Sequence, residues 1–316
     1  LGEQAESKRS KKDIIEKIKG GTQPGYHLLN KSASIGFLSD YQIVDFKNVL
    51  ATNPKKLPFG IAQMGKAFRN EITTGNFLFR LREFEQMEIE YFIEEKDWQE
   101  MFELWRNEMW NWFDLVGLDT TKIHEHEIED GERAHYSKRT IDFEFDYPFG
   151  QKELYGLAYR TDYDLKKHQE ASGQDLSYEG VVPHVIEPTW GVDRTFLAVM
   201  LSAYCEDGDR IVLKLNPKIA SYKVAVFPLV RNKKEITKKA EDVYKDLKKN
   251  FAAVWDDRGN IGKRYYSQDE IGTPWCVTVD YQTLEDETVT VRDRDTATQE
   301  RIAIKDLDSY FQNKLK

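Results

Sequence analysis

The sequence predicts an α+β fold: an antiparallel sheet backed by helices over residues 35–215, then a small α/β domain over residues 216–316. Three observations predict it. Residues 66–92, KAFRNEITTGNFLFRLREFEQMEIEYF, hold two strand-capable runs on either side of a polar turn, the pattern of an antiparallel hairpin. Residues 94–117 carry Trp98, Phe102, Trp105, Met109, Trp112 and Phe113 at helical spacing, a stripe that belongs to a core. After residue 216, strand-like and helix-like runs alternate, as in a mixed sheet with crossover helices.

In chain order, residues 1–34 are polar and lysine-rich, with one helical candidate, DIIEKIKGG, stopped by Gly20 and Gly21. Residues 35–91 read as strand-rich. Within the hairpin, alternation sets Phe84, Gln86 and Glu88 on one face and Glu85, Met87 and Ile89 on the other. HEHE (124–127) reads as a polar turn after the helix, with metal ligation by its histidines the weaker alternative. Residues 134–165 return to strand, with alternation in TIDFEFDY and a turn at 148–150. EASGQDLSYEG (170–180) reads as a loop. VVPHVIEPTW then leads as a buried strand into a helix, GVDRTFLAVMLSAY. Past residue 221, KVAVFPLV is an apolar strand. In the helix that follows, Ile236, Ala240, Val243, Tyr244, Leu247 and Phe251 form one stripe. AAVWDD, a short helix in GKRYYSQDEIG, and the strands WCVTVDY, TVTVRDRD and ERIAI complete the domain.

Composition narrows the classes. With 40% hydrophobic and 32% charged residues in 316, the chain is ordinary for a globular protein of one or two domains. It has no apolar run of membrane-spanning length, and its opening, LGEQAESKRSKKD, has no secretory apolar region. Cys205 and Cys276 lack CxxC spacing, which fits a reducing cytosol and argues against structural zinc; a cytoplasmic location is expected. Residues 1–215 hold 27 basic and 38 acidic side chains, against 19 and 17 in residues 216–316. The acidic total disfavours a nucleic-acid partner. The shift toward basic near the C-terminus leaves RNA open beside the plain reading of two solvated surfaces.

The hairpin also carries the chemistry. Arg69, Arg80 and Arg82 lie among Glu71, Glu83, Glu85, Glu88, Glu90 and aromatic residues. A site for a planar base, a polyphosphate and an ammonium needs all three residue types. The segment resembles motif 2 of the class II aminoacyl-tRNA synthetases, in the form used by glycyl-tRNA synthetases. KELYGLAYRTDYDL (152–165) agrees with it, and VIEPTWGVDRTFLAV (185–199) is similar to motif 3.

The resemblance implies a class II antiparallel sheet with flanking helices, an anticodon-binding domain after it, and a homodimer. It implies ATP with magnesium, glycine and tRNA as ligands, in a two-step ligase reaction. Arg69 matches the motif 2 arginine between α-phosphate and amino-acid carboxylate, and Arg194 the motif 3 arginine near the γ-phosphate; these two are the expected catalytic cations. Phe84 matches the aromatic that stacks on adenine and Glu71 the acid at the adenine edge. The expected ATP site extends to Asn70, Phe79, Arg80, Leu81, Arg82, Glu83, Leu154, Gly191, Val192 and Asp193, with Glu153 holding magnesium. The expected glycine site is Phe84, Glu85, Gln86, Met87, Glu88, Glu187, Pro188, Thr189, Trp190 and Gly191. Its carboxylates serve the ammonium, and the Thr189 methyl narrows a pocket that selects by smallness. Asp162 and Asp164 are expected to cap a helix.

The chain departs from the family pattern upstream. Residues 35–43, IGFLSDYQI, stand where the family has R-P-E-T-A-Q-G-I-F, so Ile35, Gly36 and Phe37 replace arginine, proline and glutamate. One ammonium partner is therefore expected to be missing. Nothing in residues 1–34 resembles motif 1, which builds the family's dimer interface. Two rivals to the ligase follow: a synthetase-like nucleic-acid-binding module without catalysis, and an ATP-dependent ligase with another acceptor.

Overall fold

The computed structural model describes Ile43, residues 45–53 and residues 55–316. The helical candidate in residues 1–34 and the departure at Ile35, Gly36 and Phe37 lie outside the described residues. The chain divides into two compact units. The first holds the described residues up to Asn111 with Thr121–Ala198, and the second holds Trp112–Thr120 with Val199–Lys316. The sequence suggests a division at residues 215/216 instead.

The first unit is an antiparallel sheet of six strands in the order β1-β2-β6-β5-β4-β3. These are β1 (Phe59–Phe68), β2 (Glu83–Ile93), β3 (Ile123–Glu127), β4 (Arg139–Tyr147), β5 (Gly150–Thr161) and β6 (His184–Gly191). The expected hairpin is β1–β2, paired from Phe59↔Phe92 to Phe68↔Glu83 and joined by a loop over residues 69–82, much longer than the expected polar turn, residues 72–76. Before it, α1 (Phe46–Thr52) corrects the strand-rich reading of residues 35–91. Phe46 anchors that helix by packing on Phe59 and Phe92, at ring distances of 6.0 and 4.7 Å. The tryptophan-rich run forms α2 (Trp98–Val116), in which Phe102, Met109 and Phe113 are fully buried. The stripe is core, as its spacing predicts.

HEHE is an edge strand, not a turn. Ile123 is buried at its head, while Glu125 is clamped by the Arg106 guanidinium at 2.9 Å and by the Trp110 indole N–H at 2.6 Å, both from α2. Its histidines face acids of β4, with His124 at 2.9 Å from Asp146. The loop expected from residue 170 begins later, because α3 (Tyr163–Ser172) runs on until Gly173 takes a left-handed φ of 70° and its N–H closes on the Gln169 carbonyl. Asp162 occupies the N-cap position without a side-chain cap bond, and pairs with Lys166 at 2.5 Å. Asp164 grips Arg160 and caps nothing. The buried strand β6 runs directly into α4 (Val192–Ala203).

Two register shifts aim side chains. Between Phe143↔Tyr155 and Glu144↔Glu153, Leu154 is the extra residue on β5. Between Tyr159↔Ile186 and Thr161↔Val185, the extra residue is Arg160, and Thr161 takes a φ of 59°. Such bulges redirect a side chain beside a site.

In the second unit a hairpin of β7 (Tyr204–Asp207) and β8 (Arg210–Leu213) precedes a mixed sheet, order β10-β9-β11-β12-β13. Its strands are β9 (Val224–Pro228), β10 (Ala253–Trp255), β11 (Trp275–Val279), β12 (Thr288–Asp293) and β13 (Gln299–Ala303). The first three run parallel, and β11, β12 and β13 antiparallel. Helix α5 (Lys234–Leu247) buries Ile236, Ala240, Val243 and Leu247 against Val226, Val277 and Val291 of the sheet. Each buried Ile, Val or Leu side chain contributes roughly 1.5–3 kcal/mol, and Ala240 less. Helices α6 (Ile261–Glu270), α7 (Thr283–Asp286) and α8 (Leu307–Lys314) complete the unit. The β7–β8 hairpin, α7 and α8 have no counterpart in the sequence reading. Among the described residues, no helix is long and apolar enough to cross a membrane.

Candidate active site

On one face of the first sheet, β2, β5, β6, the 69–82 loop and the start of α4 line an open cleft, with about 570 Å³ of empty space when the solvent at its mouth is counted. The loop forms its outer wall. Gly75 and Arg80 bridge its two limbs at 3.1 Å, and Arg82 ties it down by donating to the Glu71 and Ile72 carbonyls at 3.0 and 3.3 Å. Arg69, just past β1, lies 5.3 Å over the Phe84 ring. A flat apolar surface beside a fixed guanidinium suits an aromatic base joined to phosphate.

Arg194 enters from the opposite wall, on the first turn of α4. Its guanidinium covers the Phe79 ring at 4.3 Å and donates to the Phe79 carbonyl at 3.3 Å and the Glu153 carbonyl at 2.9 Å. The Glu153 carboxylate lies 3.2 Å away. Phe79 is held edge-on by Tyr147 and Phe149, at 5.2 and 5.3 Å. The backbone and the rings thus fix the direction of this cation before any ligand arrives. Asp193 accepts the Glu85 N–H at 2.8 Å and locks α4 to β2.

Deeper in the same face lies a carboxylate cluster. Gln86 donates to Glu88 at 2.9 Å, and Arg160 donates to Glu187 and, with both arms, to Asp164 at 2.6 and 2.9 Å. Tyr136 lies 4.2 Å beneath that guanidinium, and burial pushes its phenol up from the ordinary value. Glu90 belongs to this cluster. Burial, reinforced by the charge of Glu187, pushes its carboxyl well above the usual carboxylate range, with Arg160 opposing. At the side of the cleft, Asp142 stands opposite Gly156 in register. Burial, followed by the Glu153 charge, pushes it up to about 6.

The cleft lining takes in Arg69, Glu71, Phe79, Arg80, Leu81, Phe84, Glu85, Gln86, Glu153, Leu154, Thr189, Gly191, Asp193 and Arg194 of the expected site. Glu88 and Glu187 lie below it. The other expected residues are placed elsewhere. Met87 and Trp190 pair across the opposite face of the sheet, where Trp190 meets Trp105 and Tyr155 at 6.5 and 6.4 Å. Pro188 alternates with Glu187 and is fixed to that same face. Glu83 is exposed and pairs with Lys66, Asn70 is exposed, and Val192 opens α4 outside the lining. Arg82 holds the loop backbone, so its donors are not turned to the cleft.

Residues missed by sequence reasoning are Arg160, Tyr136 and the role of Glu90. Only Glu90 left a signal: Glu88-Ile89-Glu90 repeats an acid at strand spacing, so both acids share one face. For a magnesium ion, Glu153 offers a half-exposed oxygen donor beside Asp142. Hard oxygen ligands of this kind suit magnesium held mainly by substrate phosphates, so the residues present fit the ion.

Comparison with known proteins assigns the chain to a family. Residues 41–204 match the tRNA synthetase class II core domain (G, H, P, S and T), and residues 223–314 match an anticodon binding domain. The chain belongs to the class II tRNA synthetases of that core type. Among curated relatives, the glycine–tRNA ligase of Caldanaerobacter subterraneus subsp. tengcongensis is 50% identical over 283 residues, covering 86% of this chain and 61% of the relative. Those of Clostridium acetobutylicum and Lachnoclostridium phytofermentans are 49% and 51% identical over 284 residues, with 86% of this chain covered in each case. The chain spans about three fifths of the length of these relatives.

Proposed function

We propose that this chain is the catalytic core and anticodon domain of a glycine–tRNA ligase, which activates glycine with ATP and transfers it to tRNA in the cytoplasm. The observation that carries the reading is the two-level cleft: preset arginines and an aromatic face above, buried carboxylates below, on one side of one sheet. The relatives at about 50% identity support the same substrate.

In this reading Phe84 stacks on adenine, Glu71 meets its edge, and Arg69 bridges the α-phosphate and the glycine carboxylate. Arg80 and Arg194 hold the outer phosphates. Glu153 holds magnesium, which when bound neutralises charge on the phosphate oxygens. Glu88 and Glu187 receive the substrate ammonium, and Thr189 crowds its Cα. The glycine carboxylate attacks the α-phosphate in line, and pyrophosphate leaves. Arg69, fixed over Phe84, already faces the charge that builds there. Residues 216–316 dock the anticodon stem of tRNA.

Glycine-dependent exchange of labelled pyrophosphate into ATP is the test. Exchange with glycine, and none with alanine or serine, is the expected result. ATP binding without exchange identifies a non-catalytic module instead.

A further inference from the structure

Glu88 and Glu90 are 4% and 0% exposed, and one carboxylate oxygen from each of Glu88, Glu90 and Glu187 lies within 4.8 Å of the other two. The pairings Glu88↔Thr189 and Tyr91↔Ile186 bring Glu90 opposite Glu187, which explains the closeness. For three oxygens so spaced there is always a point within about 2.8 Å of all of them, the length of a charge-assisted N–H···O bond. A primary ammonium, with three N–H donors on one nitrogen, fits that point.

A second observation is independent of the spacing. Among the described residues, neither oxygen of Glu90 has a hydrogen-bond partner. An orphaned carboxylate at such depth is costly, whereas a neutral carboxyl is far less so. The charged and titratable groups that act on Glu90 are Glu88 on β2, Glu187 on β6, Arg160 on β5 and Asp164 on α3, and Tyr136, before β4, packs under Arg160 in the same cluster. On the β1 side its neighbours are the uncharged Ile61 and Gln63. With every carboxylate ionised, four acids face one guanidinium. One proton on Glu90 reduces the excess by one charge, and one substrate ammonium does the same. Exchanging the proton for the ammonium therefore leaves the net charge of the cluster unchanged.

We propose that Glu90 holds a proton while the cleft is empty and releases it to solvent when the amino-acid ammonium enters the carboxylate triangle. The Glu90 O–H bond breaks, the proton passes to water, and the carboxylate accepts an N–H from the ammonium; no covalent bond of the substrate changes. Glu90 is then the third ligand of the ammonium, and binding depends on pH through this one group. The proposal rests on the amino-acid-activating reading of the cleft.

The test compares two probes that differ only in the amino group, glycyl-sulfamoyl-adenosine and acetyl-sulfamoyl-adenosine. Each is titrated calorimetrically into the full chain in buffers of different ionisation enthalpy, near pH 6.5, where an α-ammonium is still protonated. The expected result is release of about one proton with the glycyl probe and none with the acetyl probe. Affinity for the glycyl probe should rise roughly tenfold per pH unit until Glu90 ionises. Glu90→Gln should bind the glycyl probe more weakly, without proton release and with pH-independent affinity. Binding of the glycyl probe without proton release overturns the proposal and leaves the proposed function standing, as does proton release that persists in Glu90→Gln. Failure of both probes to bind the wild-type chain overturns both.

Discussion

Arg194 illustrates how much one side chain does in this cleft. It covers Phe79, fastens two carbonyls and faces Glu153, so its guanidinium direction is set by four groups. Arg194→Ala should lower pyrophosphate exchange by roughly 10²-fold or more, and Arg194→Lys should recover little because a point charge cannot reproduce the fork. Circular dichroism should be unchanged in both; exchange near the wild-type rate would remove Arg194 from the phosphate site. Asp142 makes a pH prediction. Its folded value is raised to about 6, so between its ordinary value and about 6 the folded chain binds a proton that the unfolded chain has lost. Stability from this group therefore falls as pH rises through that window and is flat above it. Asp142→Asn should be more stable than wild type by about 1 kcal/mol near pH 8, after allowance for partial solvent screening, and no more stable near pH 4. Denaturant melts at both pH values check this, and a gain at the lower pH alone would reverse the sign.

At the scale of elements, the 69–82 loop and the bulge in β5 do the positioning. The loop stands over the cleft with Ile72 and Phe77 turned to solvent at 96% and 77% exposure, and its buried apolar anchor is Phe79, packed on Tyr147 and Phe149. Beside that anchor and the Arg194 bond to the Phe79 carbonyl, its order rests on the Gly75–Arg80 bridge and the two carbonyl bonds from Arg82. Arg82→Ala should leave the sheet intact and speed amide hydrogen exchange in residues 69–82 by roughly tenfold, since each lost bond is worth about 1 kcal/mol. The KM for ATP should rise with it. Unchanged loop exchange would show that the wall holds without its brace. The bulge acts differently: by inserting Arg160 it turns a cation under Glu187 while Tyr159 stays in the core. Regular pairing would direct that side chain by simple alternation, and no spacing rule in the sequence marks the exception.

For the molecule as a whole, the second unit begins earlier than the anticodon-domain match. Arg210, on β8, donates to the buried Asp269 at 3.1 Å and to the Arg294 carbonyl at 3.0 Å, and Arg294 returns a bond to the Leu215 carbonyl at 2.8 Å. A fragment over residues 216–316 loses all three and leaves Asp269 with Arg292 alone. We expect fragment 199–316 to melt several degrees above fragment 216–316, because about 1 kcal/mol shifts the melting point of a domain this size by that much. Equal melting temperatures would place the hairpin outside the folding unit. Either fragment should bind tRNA more weakly as salt rises, since phosphate contacts release counterions.

The chain by itself determined its elements wherever periodicity and burial coincide. The α2 and α5 stripes, the strands β9 and β11 and the pairing of β1 with β2 follow from side chains that repeat at helical or strand spacing and must leave water. It also determined the upper cleft, since Arg69, Phe84 and Arg194 stand in runs whose chemistry is local and recognisable. Tertiary structure alone decided the rest. HEHE became a strand because helix α2 supplied partners for Glu125 from fifteen to nineteen residues away. Trp190 left the site for the core because alternation along β6 opposes it to Glu187 and Thr189. Arg160 entered through a bulge. Glu90 gained its character from acids on two strands and a helix meeting at one buried point. Spacing along a chain encodes which face a residue takes; the charge it meets there is a sum over elements distant in sequence, and only their packing sets it.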